Sequence, residues 1–427
     1  MGQAPVFVSS MIIERPKYLK KLISLRHNGM IKIITGIRRC GKSFLLSTIY
    51  VNWLKEQGVD SAHIIDINLE DRRNKALRDP DALLEYIDAR LKDEKMHYIM
   101  IDEIQLVPEF EDVLNSYLNM SNADVYVTGS NARFLSKEIK TEFAGRGDEI
   151  RLHPLTFSEY LQATDLAQAD ALREYMIYGG MPQVVLKSTQ EEKANLLSAL
   201  FERVYFRDII LRYRIKSTEV LDELVNILAS SIGGLTNITK LANTFVSVKH
   251  INVSRNTLAN YIEYVCDSFL TEKATRYDIK GKRYIETLYK YYFADCGLRN
   301  VRLNFRQIEY THLLENVIYN ELIARGFNVD VGVVPMRERN ENGEREHQYY
   351  EVDFICNQGS KRYYIQSAYK MIDDSKVRQE EASLRRIDDS FKKIIILGEY
   401  TPVLHDESGI TIISIFDFLL QDNSLEL

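Results

Sequence analysis

The chain has 427 residues, with 55 Lys and Arg against 61 Asp and Glu, a formal net charge of −6, and an apolar share of 45%. At about 100–200 residues per domain this length suggests two to four domains. The composition excludes a mostly disordered chain, and the mild acidity excludes a uniformly basic nucleic-acid coat. Cys40, Cys266, Cys296 and Cys356 lie far apart and the eight histidines are scattered. That spacing argues against a disulfide framework or a zinc knuckle, and no metal constellation is readable in it. No apolar run approaches the roughly 20 residues of a membrane span, and the N-terminus lacks the apolar stretch of a signal peptide. The expectation is a cytoplasmic protein with no membrane partner.

The first predicted elements carry the most chemistry. Ile31–Thr35 is a short β-branched run that reads as a buried strand. Gly36-Ile37-Arg38-Arg39-Cys40-Gly41-Lys42-Ser43 follows and fits G-x-x-x-x-G-K-[ST], with Phe44 and later apolar residues recurring at helical spacing. Strand, glycine loop and helix are the context this motif requires. Gly36 and Gly41 let backbone N–H groups approach phosphate oxygens, and the helix N-terminus favours negative charge. Nucleotide is therefore expected on Gly36, Ile37, Arg38, Arg39, Cys40, Gly41, Lys42, Ser43 and Phe44. Lys42 would reach the β- and γ-phosphates of ATP, and the Ser43 hydroxyl would ligate Mg²⁺.

Tyr98–Ile101 predicts a strand ending in Asp102 and Glu103, 60 residues after Lys42. Asp102 would hold Mg²⁺ through water, and Glu103 would act as the general base, which points to hydrolysis. Ala123–Thr128 predicts a further strand running into Gly129-Ser130-Asn131; either Ser130 or Asn131 could face the γ-phosphate or the attacking water. Arg146, between Gly145 and Gly147, could stabilise transition-state charge as an arginine finger, from its own chain or a neighbour in a homo-oligomer.

This order resembles an AAA+ ATPase module, and Pro154-Leu155-Thr156-Phe157-Ser158-Glu159-Tyr160 sharpens the likeness. Together with Tyr178-Gly179-Gly180-Met181-Pro182, Phe206-Arg207-Asp208-Ile209 and Lys290–Arg299, it is similar to a prokaryotic family of AAA-type ATPases with a conserved C-terminal domain of unknown function, and to archaeal-type ATPases. The resemblance implies a P-loop AAA+ three-layer α/β sandwich over 1–160 with a helical lid over 161–216. It also implies the nucleotide and metal roles given above to Lys42, Ser43, Asp102 and Glu103. No second sensor arginine is evident after Tyr160.

Over 217–306 the predicted elements are three helices and a hairpin. Leu221, Leu224, Ile227 and Leu228 share one helical face, Thr239–Phe245 forms a second helix, and a third starts after the N-cap Ser254. Two strand-like runs flank Asp278–Arg283. This looks like a winged helix. In a DNA-binding reading Arg255 and Asn256 face outward on the recognition helix, and Lys280, Lys282 and Arg283 touch phosphates from the wing tip. In the other reading the segment is a protein–protein or interdomain spacer. Residues 211–310 carry a net charge of +5, and residues 311–427 carry −8.

The last segment, 307–427, predicts a helix from about Thr311 carrying Glu315, then strands over Phe327–Val334, Tyr349–Ile355, Arg362–Ala368 and Lys393–Leu397. Arg337–Glu346 is expected to be an exposed loop, and 374–386 a helix. The pattern resembles a restriction-endonuclease-like α/β domain. Where active members carry Glu-x-Lys, this chain has Gln366-Ser367-Ala368, while Glu315 and Asp353 remain. Lys370 lies about 7 Å farther along the strand than Ala368. The domain is expected to be catalytically degenerate and to serve binding or assembly; the alternative borrows Lys370 and makes the protein an ATP-gated nuclease. A nucleotide-switched scaffold without turnover is the other alternative.

Overall fold

The computed structural model describes residues 12–129, 145–339, 345–370 and 381–427. They form two compact units: one runs through residue 167 without Ile37–Cys40, and the other takes Ile37–Cys40 and the chain from Gln168 onward.

The first unit is built on five parallel strands: β1 (Ile31–Thr35), β2 (Ile64–Asn68), β3 (His97–Asp102), β4 (Ala123–Thr128) and β5 (Gly147–Arg151), in the order β2-β3-β4-β1-β5. Ile31, Ile33, Ile65, Ile67, Ile99, Ile101, Val125 and Val127 alternate onto one face and pack against Leu83, Ile87, Phe110, Val113 and Tyr117 of the neighbouring helices. Lys32 stands in the middle of β1 with no solvent exposure, because Asp124 of β4 pairs with it and the Tyr126 ring lies 5.3 Å from its ammonium. A buried cation needs such a partner. All the strands point the same way, so β1, β3 and β4 deliver Gly36, Glu103 and Gly129 to a single sheet edge, the C-terminal edge where open α/β sheets bind ligands.

In the second unit, helices Gln168–Tyr178, Pro182–Val185, Gln190–Ala199 and Arg207–Tyr213 precede Thr218–Ser230, Ile238–Ser247 and Arg255–Asp267. The last three match the predicted helices, and Ser254 caps the third by accepting from Thr257 N at 3.0 Å. Asp295 joins distant segments. It caps the Cys296–Arg302 helix through Leu298 N (3.0 Å) and accepts from Gly180 N at 2.6 Å. A Cβ at Gly179, where φ is +75°, would lie 2.1 Å from the Asp295 carboxylate, and one at Gly297 would lie 2.1 Å from the Tyr178 carbonyl oxygen. Asn300 donates to the carbonyls of Met176 and Ile177, both at 2.9 Å. The Tyr178-Gly179-Gly180 and Asp295–Asn300 runs, 115 residues apart at Gly180 and Asp295, are thus two halves of one junction.

The predicted hairpin is present as β6 (Thr271–Asp278) and β7 (Arg283–Phe293), but it is not a free wing. With β8 (Asn328–Arg339), β9 (Arg345–Gln358), β10 (Lys361–Ala368), β11 (Lys392–Leu397), β12 (Leu404–His405) and β13 (Ile410–Ser414) it makes an eight-stranded sheet ordered β12-β13-β11-β10-β9-β8-β6-β7. β6 pairs in parallel with β8, from Arg276–Val331 to Asp278–Val333. An unpaired edge of backbone donors and acceptors seeks a partner, and β8 supplies it. The expected loop Arg337–Glu346 is instead strand at both ends, with Arg337 opposite His347 and Arg339 opposite Arg345; residues 340–344, like most of the expected 374–386 helix, lie outside the described residues. Among the described residues, no helix is long and apolar enough to cross a membrane.

Candidate active site

The phosphate loop turns on two glycines with φ of +136° (Gly36) and +102° (Gly41), a region that side chains with a Cβ rarely adopt. Ile37 and Cys40 are buried. The Lys42 ammonium, itself buried, donates to Gly36 O at 3.0 Å, which ties it back to the residue that opens the loop. Within the second unit, Arg38 approaches Asp208 at 3.7 Å, and the Tyr205 hydroxyl donates to Arg38 O at 2.8 Å. Arg39 takes a left-handed conformation, and Phe44 is exposed at the helix start.

The structure brings Ser43 and Asp102 together: Ser43 Oγ donates to both Asp102 oxygens, at 2.9 and 2.8 Å. Both are hard oxygen ligands of the kind Mg²⁺ takes. Glu103 follows in a left-handed backbone conformation (φ +57°) that bends the chain out of β3. Such a conformation in a residue with a Cβ costs about 1–3 kcal/mol and clusters at functional sites. Its buried carboxylate accepts from the Gln105 side chain.

One residue that positions both acids has no motif of its own in the sequence. The Thr128 hydroxyl donates to Asp102 Oδ1 at 2.5 Å and accepts from Glu103 N at 2.9 Å. It ends β4, directly before the more conspicuous polar run Gly129-Ser130-Asn131. Ser130 and Asn131 themselves lie outside the described residues.

Arg146 requires a correction. Its carbonyl accepts from Ile31 N at 3.0 Å, and β5 begins beside it with Gly147 opposite Ile31. It therefore sits at the start of β1, whereas the phosphate loop leaves the end of β1, four residues or roughly 13 Å away. The same-chain arginine-finger role does not fit this placement.

The residues assigned to DNA are dispersed. Arg255 and Asn256 are exposed at the N-terminus of their helix, where Arg255 reaches Thr239 Oγ1 at 3.5 Å. At the hairpin turn Arg283 lies 3.9 Å from Asp278 and Lys280 lies 4.0 Å from Asp388, so each has an acid nearby; Lys282 is exposed with φ +51°.

The C-terminal sheet holds a second group of acids. Lys290 of β7, only 3% exposed, donates to Glu315 Oε1 at 2.9 Å and pairs with Glu351 at 2.8 Å. Tyr292 donates to the same Glu315 oxygen at 2.7 Å. Asp353 accepts from Ser367 N (2.8 Å) and Ser367 Oγ (2.6 Å), while Gln366 Oε1 accepts from Asp353 N at 3.3 Å. Burial pushes Glu315 up to about 7 in spite of the Lys290 ammonium, and the nearby Asp353 carboxylate pushes the same way. Lys370 is not in this group; it is exposed and pairs with Glu399 at 3.1 Å. The lysine among these acids comes from the hairpin, 78 positions before Ala368, and no pattern within the final segment could have revealed it.

Residues 28–161 match the model of a family described as an AAA domain, and residues 169–309 match a domain of unknown function, DUF8612. The matched domain of unknown function is central in the chain and takes in both halves of the Asp295 junction. An uncharacterized protein of Haemophilus influenzae is 34% identical over 420 residues, covering 97% of this chain and all of that protein. A second, from Methanocaldococcus jannaschii, is 30% identical over 84% of this chain and 79% of its own length. Among solved structures, the Aeropyrum pernix ORC2 protein in its ADP form covers 71% of this chain and 96% of that chain at 10% identity, with a TM-score of 0.36, a likeness too slight to bear on function.

Proposed function

The chain belongs to the same protein family as these Haemophilus influenzae and Methanocaldococcus jannaschii proteins, and from that premise we propose that it binds ATP with Mg²⁺ and hydrolyses it at the C-terminal edge of the first sheet. The observation that carries this reading is the Ser43–Asp102 contact, made to both carboxylate oxygens by the residue that follows Lys42. Ser43 and Asp102 hold the metal, which supplies charge neutralisation at the phosphates when bound. Lys42 exchanges its loop carbonyl for phosphate oxygen. Glu103, bent out of β3 and anchored by Thr128, orients and deprotonates water. Arg146 acts only in trans, on a neighbouring subunit's site, and Asn131 contacts the nucleotide.

The turnover is coupled to binding or remodelling of a nucleic-acid or protein partner. The domains are an ATPase core (1–160), a helical lid (161–216) and a winged-helix region (217–306) whose hairpin is shared with the sheet of a degenerate restriction-endonuclease-like domain (307–427). The Lys290 cluster supports degeneracy: its acids are already served by an ammonium, a phenol and a hydroxyl. In Glu103→Gln, ATP affinity is expected to persist while turnover falls about 10²–10⁴-fold, the usual worth of a general base. Unchanged turnover would remove Glu103 from the mechanism, and a wild-type protein that never releases phosphate, with DNA or protein extract present, would remove the ATPase reading. For DNA, the log–log slope of affinity against salt should shrink by about 0.9 for each phosphate that Arg255→Ala or Lys282→Ala leaves unneutralised. A binding constant indifferent to salt points to the protein-partner reading.

A further inference from the structure

The sheet edge opposite the phosphate loop holds a group of side chains that the nucleotide chemistry does not use. β2 and β3 are parallel neighbours, with Ile64 opposite Tyr98. The residues just ahead of that register, His63 and His97, are therefore brought side by side although they are 34 positions apart in the chain. Their rings lie 4.8 Å apart, tilted by 50°. Asp93, from the loop leading into β3, joins them: both of its oxygens lie 3.1 Å from His63 Nε2. One ligand atom from each of the three residues lies within 4.8 Å of the other two.

The inner histidine is held as a metal ligand is held. His97 is fully buried, and its Nδ1 lies 2.8 Å from Lys95 O. A carbonyl oxygen can only accept, so Nδ1 carries the proton and Nε2 presents its lone pair. A ring N–H fixed on a backbone carbonyl is the usual outer-shell support of a coordinating imidazole, and it sets both tautomer and ring orientation. The Lys92 amide approaches Nε2 only at 3.4 Å, a long hydrogen bond that an ion could displace. The loop bearing Asp93 is also fixed: Asn122 donates to Asp93 O at 3.0 Å, and Lys95 N donates to Asp93 Oδ1 at 2.9 Å. His63 and Asp93 remain reachable from solvent, so an ion has an entry path.

We propose that His63, Asp93 and His97 form a zinc-class divalent-cation site on the first unit. Two imidazoles and one carboxylate are a nitrogen-rich set that suits Zn²⁺ rather than Mg²⁺ or Ca²⁺, and three protein ligands leave a fourth position for water or an incoming ligand. The ion ties the 3₁₀ turn before β2 to the loop before β3. The site is independent of ATP: it lies at the strand starts, and the nucleotide residues lie at the strand ends.

The test uses untagged full-length protein stripped with a chelator, then titrated with Zn²⁺ in competition with a chromophoric chelator, and separately with Co²⁺ to read the visible absorption of a four-coordinate ion. The wild type should take up one Zn²⁺ per chain and give the Co²⁺ band. His63→Ala and Asp93→Asn, both at solvent-reachable positions, should weaken Zn²⁺ binding at least 100-fold and lose the band while keeping the wild-type circular dichroism. A wild type that cannot compete with a micromolar chelator overturns the proposal, as does a His63→Ala protein that retains full stoichiometry and affinity. His97→Ala removes a buried ring and is therefore not used.

Discussion

The nucleotide site and the Lys290 cluster are assembled from the same ingredients, namely a lysine, two or more carboxylates and a hydroxyl donor, yet they are wired in opposite ways. In the first, the Lys42 ammonium rests on a backbone carbonyl and Asp102 on the Ser43 and Thr128 hydroxyls. These contacts are to neutral groups, a carbonyl and two hydroxyls, that a phosphate oxygen or a metal ion could replace. In the second, the Lys290 ammonium lies directly between Glu315 and Glu351. Its charge is spent internally, and the group works as part of the scaffold. Charge neutralised inside a fold is no longer available to a ligand, and removing one partner of such a pair is far costlier than never having had it.

The sharpest way to break this contrast is to delete the internal cation. Lys290→Met should destabilise the second unit by about 3–5 kcal/mol, the usual penalty for orphaning a buried charge, read as a lower denaturant midpoint. Adding Glu315→Leu should recover much of that loss. If Lys290→Met is as stable as the wild type, the ammonium does not hold the cluster together. The same substitution should leave ATP turnover unchanged.

The next effect is in pH. Glu315 is pushed up to about 7 in the folded protein by burial, from an ordinary value of 4.5. Between those values the unfolded chain has already released the proton that the folded chain retains. Its contribution to stability is therefore whole below pH 4.5 and is lost as pH rises towards 7, by up to about 3 kcal/mol. Glu315→Gln should flatten the stability profile over that interval, as followed by urea denaturation from about pH 4.5 to 7.5. A mutant profile parallel to the wild type would assign the titration elsewhere. The smallest effect belongs to the nucleotide site: Thr128→Val removes the hydroxyl that orients Asp102 and Glu103, and should reduce turnover about 10–100-fold, the scale of an outer-shell contact, with ATP affinity little changed.

Local patterns in the sequence carried the first unit well. The phosphate loop, the Asp102-Glu103 strand end and the parallel strands around them follow from short runs in which motif and strand coincide. The three helices of 218–267 and the Ser254 cap were legible for the same reason. What stayed hidden depends on pairing between distant strands. Arg146 looked like a site residue because Gly-Arg-Gly punctuates the chain, but only the β1–β5 register shows which end of the sheet it occupies. The hairpin read as a wing because its own turn is well marked, while the β6–β8 pairing that absorbs it has no local signal. His63 and His97 are scattered in the chain and meet only where β2 and β3 pair.

The β6–β8 pairing also bears on how such a protein can be cut and recombined. The boundary suggested by family matching, near residue 309, falls between the hairpin and the strand that completes it. A chain ending there would leave β6 with a bare flank of amide and carbonyl groups and would strip Lys290 of both glutamates. The hairpin and the final sheet must therefore be kept on one piece of chain, within the compact unit that also holds the helical segment.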